Sequence, residues 1–289
     1  MNAPFHLVTP QRVTPLPPVI DLPALRSVRP GQHRLGLGAP LSWGWVLGPL
    51  LLIVYWSVLS ATGWLDPRVL PAPWTAVTAA EELIRDGRLQ DNLAISAWRA
   101  AQGLLFGTLV GVGLALLSGL SLLGGYVIDG LVQLKRGIPV LALIPFMILW
   151  FGVGEGMKVT VIAVTVFAPV YIQTHASLRA IDLKQVELAE TLGLGRWGFI
   201  RHVVLPGALP GLLTGLRFGV TAAWLALVVV EQLNATSGIG YMITLARNYA
   251  QTDVMLVGLV VYALLGLSSD AAVRLIQTRA LRWRRTLAS

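Results

Sequence analysis

Six stretches of this chain are apolar for long enough, or nearly long enough, to cross a lipid bilayer, and nothing else in the sequence constrains the fold as strongly. They are Trp43–Ser60, Ala97–Leu122, Gly137–Val153, Val159–Leu178, Gly207–Val230 and Val254–Ser269. A spanning helix needs about 20 apolar residues, within a range of roughly 17–25, so the third and sixth are short. In hydrocarbon the backbone must satisfy its own hydrogen bonds, which a helix does internally. The expected fold class is an all-α membrane protein with six transmembrane helices.

Composition agrees. Charged residues make up 12% of the chain and mean hydropathy is +0.70, where a soluble domain carries about 25% charged residues. The net charge of +8 would suggest nucleic acid in a soluble protein. Here the basic residues sit at span ends and argue for orientation instead. With both termini in the cytoplasm, fifteen of the 22 basic residues fall inside. Only Arg68, Arg85, Arg88, Lys158 and Arg247 fall outside, while Arg99 and Arg217 lie within spans. Residues 1–42, rich in proline and arginine and lacking a signal-peptide core, read as a disordered cytoplasmic tail. Residues 43–278 form the membrane domain, and 279–289 a basic cytoplasmic C-terminus.

Between the first two spans, Gly63–Asn92 combines a Pro-broken loop with a short amphipathic helix near Trp74–Arg85. The second span repeats small residues at Gly103, Gly107, Gly111, Ala115 and Gly119, a ribbon that admits another helix closely. Its partner is either a helix of the same chain or one of a second subunit. Pro139, Pro145 and Pro169 are expected to interrupt the third and fourth spans.

Familiar catalytic arrangements are missing. None of the three lysines completes a GxxxxGK[ST] loop, the four histidines form no HExxH, and there is no GxSxG. No cysteine is present for thiolate, disulfide or metal chemistry. No carboxylate pair falls in mid-membrane as a proton relay would require. The reading is a non-catalytic chain without cofactor or metal, hydrolysing no nucleotide itself. A secondary transporter or intramembrane enzyme is the alternative from another class.

One polar stretch breaks the apolar pattern: Asp182–Pro210, DLKQVELAETLGLGRWGFIRHVVLPGALP. Asp182 caps a helix, with Gln185 placed to complete a capping box. Val186, Ala189 and Leu192 form an apolar stripe, Gly193 fits the left-handed position that stops the helix, and Gly195 loosens the connector. A second short helix, Arg196–Val204, turns Trp197, Ile200 and Val203 to one side, and Pro206 is expected to end it. Such an elbow, spanning 182–206, is either gripped by a cytoplasmic partner or folded under its own spans.

These residues resemble the EAA loop of ABC importer permeases. Glu187-Leu188-Ala189, three residues, Gly193, nine residues and Val203-Val204-Leu205-Pro206 keep the loop's spacing, with Leu188 and Val203 departing from its alanine and isoleucine. From Trp43 to Leu287 the chain is similar to the nitrate, sulfonate and taurine branch, with its end most similar to aliphatic sulfonate permeases. The segments that carry this are ISAWRAAQG, LKRGIPVLALIPFMILWFGVGE, LPGALPGLLTGLRFG and EQLNATSGIGYMITLARNYAQTDV. The resemblance implies a type I ABC importer permease fold with cytoplasmic coupling helices in a bacterial inner membrane. It implies a second permease subunit, a cytoplasmic ABC ATPase dimer and a periplasmic solute-binding protein as partners. The cargo it implies is an aliphatic sulfonate, with taurine or nitrate as alternatives. Glu187, Ala189, Leu192, Gly193, Arg196, Trp197, Leu205 and Pro206 would then couple to the ATPase.

Three further residues are candidates for the translocation path or a gate: Arg99, Arg217 and Glu231. Each arginine reads as snorkelling or pairing within the bundle, or as an anion contact. Glu231 and the Ser237–Tyr241 turn read as an outer gate, a docking surface, or a turn that ends a span.

Overall fold

The structure is a computed structural model that describes residues 44–283. The tail at 1–42, Trp43 and the basic pair Arg284 and Arg285 lie outside the described residues. Contacts divide the chain between Leu52 and Ile53, and the bundle described below lies within the second unit, Ile53–Ser289. Among the described residues the regular structure is helical.

The first apolar stretch forms α1, Gly44–Ala61. The amphipathic helix expected near Trp74–Arg85 forms as α2, Pro73–Arg85, with Pro73 in its first turn, where no backbone donor is needed. Its buried residues, Ala79 and Leu83, join the main core cluster.

The second span is longer than its apolar run. Helix α3, Arg88–Gly119, starts nine residues before Ala97, so Arg99 lies three turns inside it. The small-residue ribbon meets the fourth span, α6, Glu155–Arg179, within the same chain. A Cβ on Gly107 would stand 2.7 Å from the carbonyl oxygen of Ala163, and one on Gly111 would stand 2.7 Å from that of Phe167. A neighbouring face of α6 meets α9, Leu205–Asn234, just as closely: a Cβ on Gly215 would lie 2.9 Å from the Val170 Cα. Helix α6 is therefore clasped on two sides, and Ile162, Val166 and Val170 are fully buried between them.

The third expected span, Gly137–Val153, forms a helix of only 12 residues, too short to cross a bilayer alone. Helix α4, Leu122–Gly137, and α5, Val140–Phe151, meet at a bend of 103°. Pro139 causes the break, because it caps α5 and holds Ile138 in extended backbone. Pro145 and Pro169, expected to interrupt their spans, lie inside continuous helices. Neighbouring helices can absorb the single missing hydrogen bond at each.

Pro206 does not end the second elbow helix. Helix α8, Arg196–Phe199, passes through a π turn, Ile200–Val204, into α9, giving 39 continuous helical residues, Arg196–Asn234. The π turn precedes Pro206, which falls in the first turn of α9, and the wider turn accommodates its ring. After α9, Gly238 at φ 109° turns the chain into a helix not expected from the sequence, α10, Ile239–Asn248. The sixth span runs far beyond Ser269 as α11, Thr252–Ala280.

Among the described residues, four helices are long and apolar enough to cross a membrane, or five if the bent pair α4–α5 counts as one span. Their outward faces are apolar. On α3, Leu105, Phe106, Leu109 and Val110 are at least half exposed, and Leu259, Val260 and Leu264 of α11 are similar. Apolar exposure on this scale is suited to lipid rather than water.

Candidate functional site

The elbow between α6 and α9 is built by two caps. Helix α7, Leu183–Thr191, starts where Asp182 Oδ1 accepts the Lys184 N–H at 3.0 Å. The cap reaches the second helical residue, not Gln185, whose own N–H donates to the Asp182 carbonyl at 2.9 Å. Gly193 ends the helix at φ 67°, as expected. Its N–H donates to the Glu190 carbonyl at 2.9 Å, and the Leu194 N–H reaches back to Ala189 at 3.0 Å. These two bonds make the Schellman closure, so the turn is fixed, not merely tight.

The elbow's apolar residues divide. Ala189 is buried, and Phe199, Ile200 and Val204 pack with Leu178, Ala208 and Leu116. Leu192 and Trp197 point outward, at 67% and 73% exposure, joined by Leu183 and Leu188. Glu187, Gly193, Arg196 and Leu205 are also exposed, and Pro206 is half-buried. Trp197, Ile200 and Val203, expected on one side of the second helix, do not share a face: Trp197 is exposed while Phe199, Ile200 and Val204 pack inward, because the helix continues through the π turn. A groove of about 430 Å³ runs beside Ala189, Leu192 and Pro206 and is closed on one side by Trp283.

Near the far end of α9 lies a buried polar cluster. Arg99, 2% exposed, donates from Nε and Nη2 to both Glu155 oxygens at 2.6 and 2.7 Å. Its Nη1 donates to Glu231 Oε1 at 2.8 Å and to the Ser237 carbonyl at 2.6 Å, while Nη2 also reaches Ser237 Oγ at 3.1 Å. Glu231, 1% exposed, also accepts from Ser96 Oγ at 2.8 Å, the Gly240 N–H at 2.8 Å and Tyr262 Oη at 3.0 Å. Lys158 donates to Glu155 at 2.7 Å, so two cations balance two carboxylates. Asn92 Oδ1 accepts the Gly238 N–H and Ser96 Oγ the Ile239 N–H, which fastens the turn before α10 to α3.

The structure therefore brings Arg99 and Glu231 together, from residues 132 apart in sequence. Of the Ser237–Tyr241 segment, Ser237 and Gly238 form the turn and Ile239–Tyr241 open α10, and Ser237 is hydrogen-bonded to Arg99. Sequence reasoning missed Ser96, Glu155, Lys158 and Tyr262. A polar group inside an apolar run was a signal for Tyr262, and Ser96 lies at the edge of one; nothing local marks Glu155 as their partner.

Arg217 stands apart from this cluster. Its Nε donates to Asp270 Oδ1 of α11 at 2.6 Å, and Arg274 holds the same carboxylate at 2.8 Å. A cleft of about 860 Å³ opens beside them, walled by Phe218, Trp224, Leu225 and Leu267. A third cluster joins Tyr171 to Asp129 and Ser118, with His175 stacked on Tyr171 at 5.4 Å. Among the described residues no grouping of His, Asp and Glu could hold a metal ion.

Comparison with known proteins agrees with this architecture. The chain is 43% identical over 239 residues to a protein of Escherichia coli (strain K12) named as the aliphatic sulfonates transport permease SsuC, covering 83% of this chain and 90% of that one. It is 38% identical over 270 residues to the SsuC of Bacillus subtilis (strain 168), covering 92% and 95%. The taurine transport system permease protein TauC of Escherichia coli is 33% identical over 258 residues, covering 84% and 94%. A crystal structure of an amino acid ABC transporter with histidines matches the fold with a TM-score of 0.55 at 18% identity, over 71% of this chain and 97% of that one. Residues 104–282 match the model of one family, and the chain belongs to it: the binding-protein-dependent transport system inner membrane components.

Proposed function

We propose that this chain is the membrane-spanning permease subunit of an ATP-driven importer for aliphatic sulfonates. A periplasmic binding protein delivers the cargo. A cytoplasmic ATPase dimer drives a pair of these chains, each with six spans: α1, α3, the bent α4–α5, α6, α9 and α11. Both termini face the cytoplasm, as the distribution of basic residues favours. The tail at 1–42, the membrane domain at 43–278 and the basic end at 279–289 complete the organisation. The higher identity to two aliphatic sulfonate permeases than to the taurine permease favours aliphatic sulfonates over taurine as cargo.

The observation that carries the coupling role is the elbow's surface. Exposed Leu188, Leu192 and Trp197, rimmed by Glu187 and Arg196, stand on a turn fixed by the Schellman closure at Gly193. Large apolar side chains held out on a rigid mount are what a cleft on a motor subunit would grip. The deciding experiment reconstitutes the chain in liposomes with the ATPase and binding protein encoded beside it. ATP-dependent uptake of alkanesulfonate that persists under a proton uncoupler supports this reading. Uptake by the chain alone, or abolished by the uncoupler while ATP stays high, overturns it.

A further inference from the structure

The cleft between α9 and α11 holds more positive charge than a structural ion pair requires. Asp270 is shared by two arginines. Arg217 donates its Nε at 2.6 Å, with a stretched Nη2 contact at 3.5 Å. Arg274, one turn along α11 from Asp270, donates Nε at 2.9 Å and places Nη2 at 2.8 Å. One carboxylate against two guanidinium groups leaves a surplus positive charge. Arg274 alone satisfies Asp270, so Arg217 can release it without stranding a buried anion. Arg217 is also accessible, with its side chain 42% exposed into the cleft.

Apart from Thr214, Thr221, Tyr262 and Gln277, the rest of the cleft is apolar. Phe218 and Leu225 of α9 and Leu267 of α11 line it. Trp224 presents its ring body, because its indole N–H already donates to Ser269 Oγ at 2.9 Å. From Arg217 to Leu225, α9 rises about 12 Å. A charged end and an apolar wall of that length match an anionic head with a short alkyl chain.

We infer that this cleft is a binding site for the transported anion. Arg217 exchanges Asp270 for the sulfonate group, Arg274 retains Asp270, and the alkyl chain lies along Phe218, Trp224 and Leu225. This inference rests on the reading of the chain as a sulfonate permease and assigns the contact that such a permease would make.

The absence of native cysteine makes the test direct. Thr221, exposed in the cleft wall one turn beyond Arg217, is replaced as Thr221→Cys in the whole reconstituted transporter. Labelling rates are compared for sulfonatoethyl and trimethylammonioethyl methanethiosulfonate. The surplus charge should favour the anionic reagent by about tenfold. That ratio should fall towards one with Arg217→Gln and rise with Asp270→Asn. A merely structural pair would instead make both substitutions disruptive in the same direction. Hexanesulfonate should slow labelling more than ethanesulfonate does. Equal rates for the two reagents, or no protection by either sulfonate in a transporter that takes them up, overturns the site. The protection arm needs only Thr221→Cys, so it stands even where another variant misfolds. Failure of the unaltered transporter to take up sulfonates would sink the cargo assignment instead.

Discussion

Replacing Arg99 with methionine tests whether the buried cluster holds the bundle together. Arg99 is the only cation in contact with Glu231 among the described residues, and both are almost wholly buried. Arg99→Met leaves Glu231 with neutral donors from Ser96, Gly240 and Tyr262, which do not compensate a full charge. Breaking a buried pair by removing one partner costs about 3–5 kcal/mol. Glu231→Gln should cost less, about 1–3 kcal/mol, because Arg99 keeps its bidentate contact with Glu155. Glu155→Gln should cost under about 1 kcal/mol, since the Glu155 side chain is 62% exposed. The assay is denaturant unfolding of the purified chain in mixed micelles, with Arg99→Met/Glu231→Gln closing a double-mutant cycle. A coupling of about 1–3 kcal/mol is expected. If Arg99→Met unfolds within about 0.5 kcal/mol of the parent chain, the cluster is not what ties α3, α9 and α10 together.

Gly193→Val should strain the left-handed turn by about 1–2 kcal/mol and misplace α8; ATPase activity and uptake, measured on the same liposomes, should separate, and normal coupled uptake would refute the role given to this turn. Leu192→Asp and Trp197→Asp should leave the isolated chain's unfolding midpoint unchanged, since both residues are exposed, and should abolish co-purification of the ATPase. Gly107→Val should yield little folded chain, because a Cβ there meets the Ala163 carbonyl and Val166. Gly113→Ala is its control: nothing lies within 4 Å of the added carbon, so fluorescence-detected size exclusion should show a normal peak.

The helices were legible because hydrophobic length and small-residue spacing are local signals. Gly103, Gly107 and Gly111 announced a close helix approach, and only the partner, α6, needed three dimensions. The elbow was legible because caps are local too: Asp182 and Gly193 sit where their conformational preferences put them. Pro206 misled for a physical reason. A proline ends a regular α-helix, but a π turn just before it offers a different register, and no residue advertises that register in advance. The α4–α5 bend was missed because Leu122–Gly137 carries glycines and charges that lower its apolar score, although it packs against α3 as a helix. The buried cluster was half legible. Arg99 and Glu231 stood out as charges near apolar runs, yet their pairing depends on how α3 and α9 cross, and Glu155 looked like an ordinary helix start.

Helix continuity decides what the elbow can move. The 39 residues from Arg196 to Asn234 rise about 58 Å, nearly twice the hydrocarbon thickness of about 30 Å. One end carries Trp197, and Glu231 lies near the other. Gly211, Gly215 and Gly219 bring α9 onto α6, and Gly103, Gly107 and Gly111 bring α3 onto a neighbouring face of it, with backbone atoms too near for sliding. On the proposed coupling role, a push on the elbow would tilt α3, α6 and α9 as one body. Helix α11 is joined to that body in two different ways. Tyr262 is fixed to buried Glu231, where the surrounding donors and charges make release costly. Asp270 is joined to Arg217 by a partly exposed pair that Arg274 can replace. In the proposed mechanism the first junction is the pivot and the second is the one that opens. The cleft lies between them, so on this proposal the tilt that transmits the motor's stroke would change the width of the space where Arg217 meets the anion.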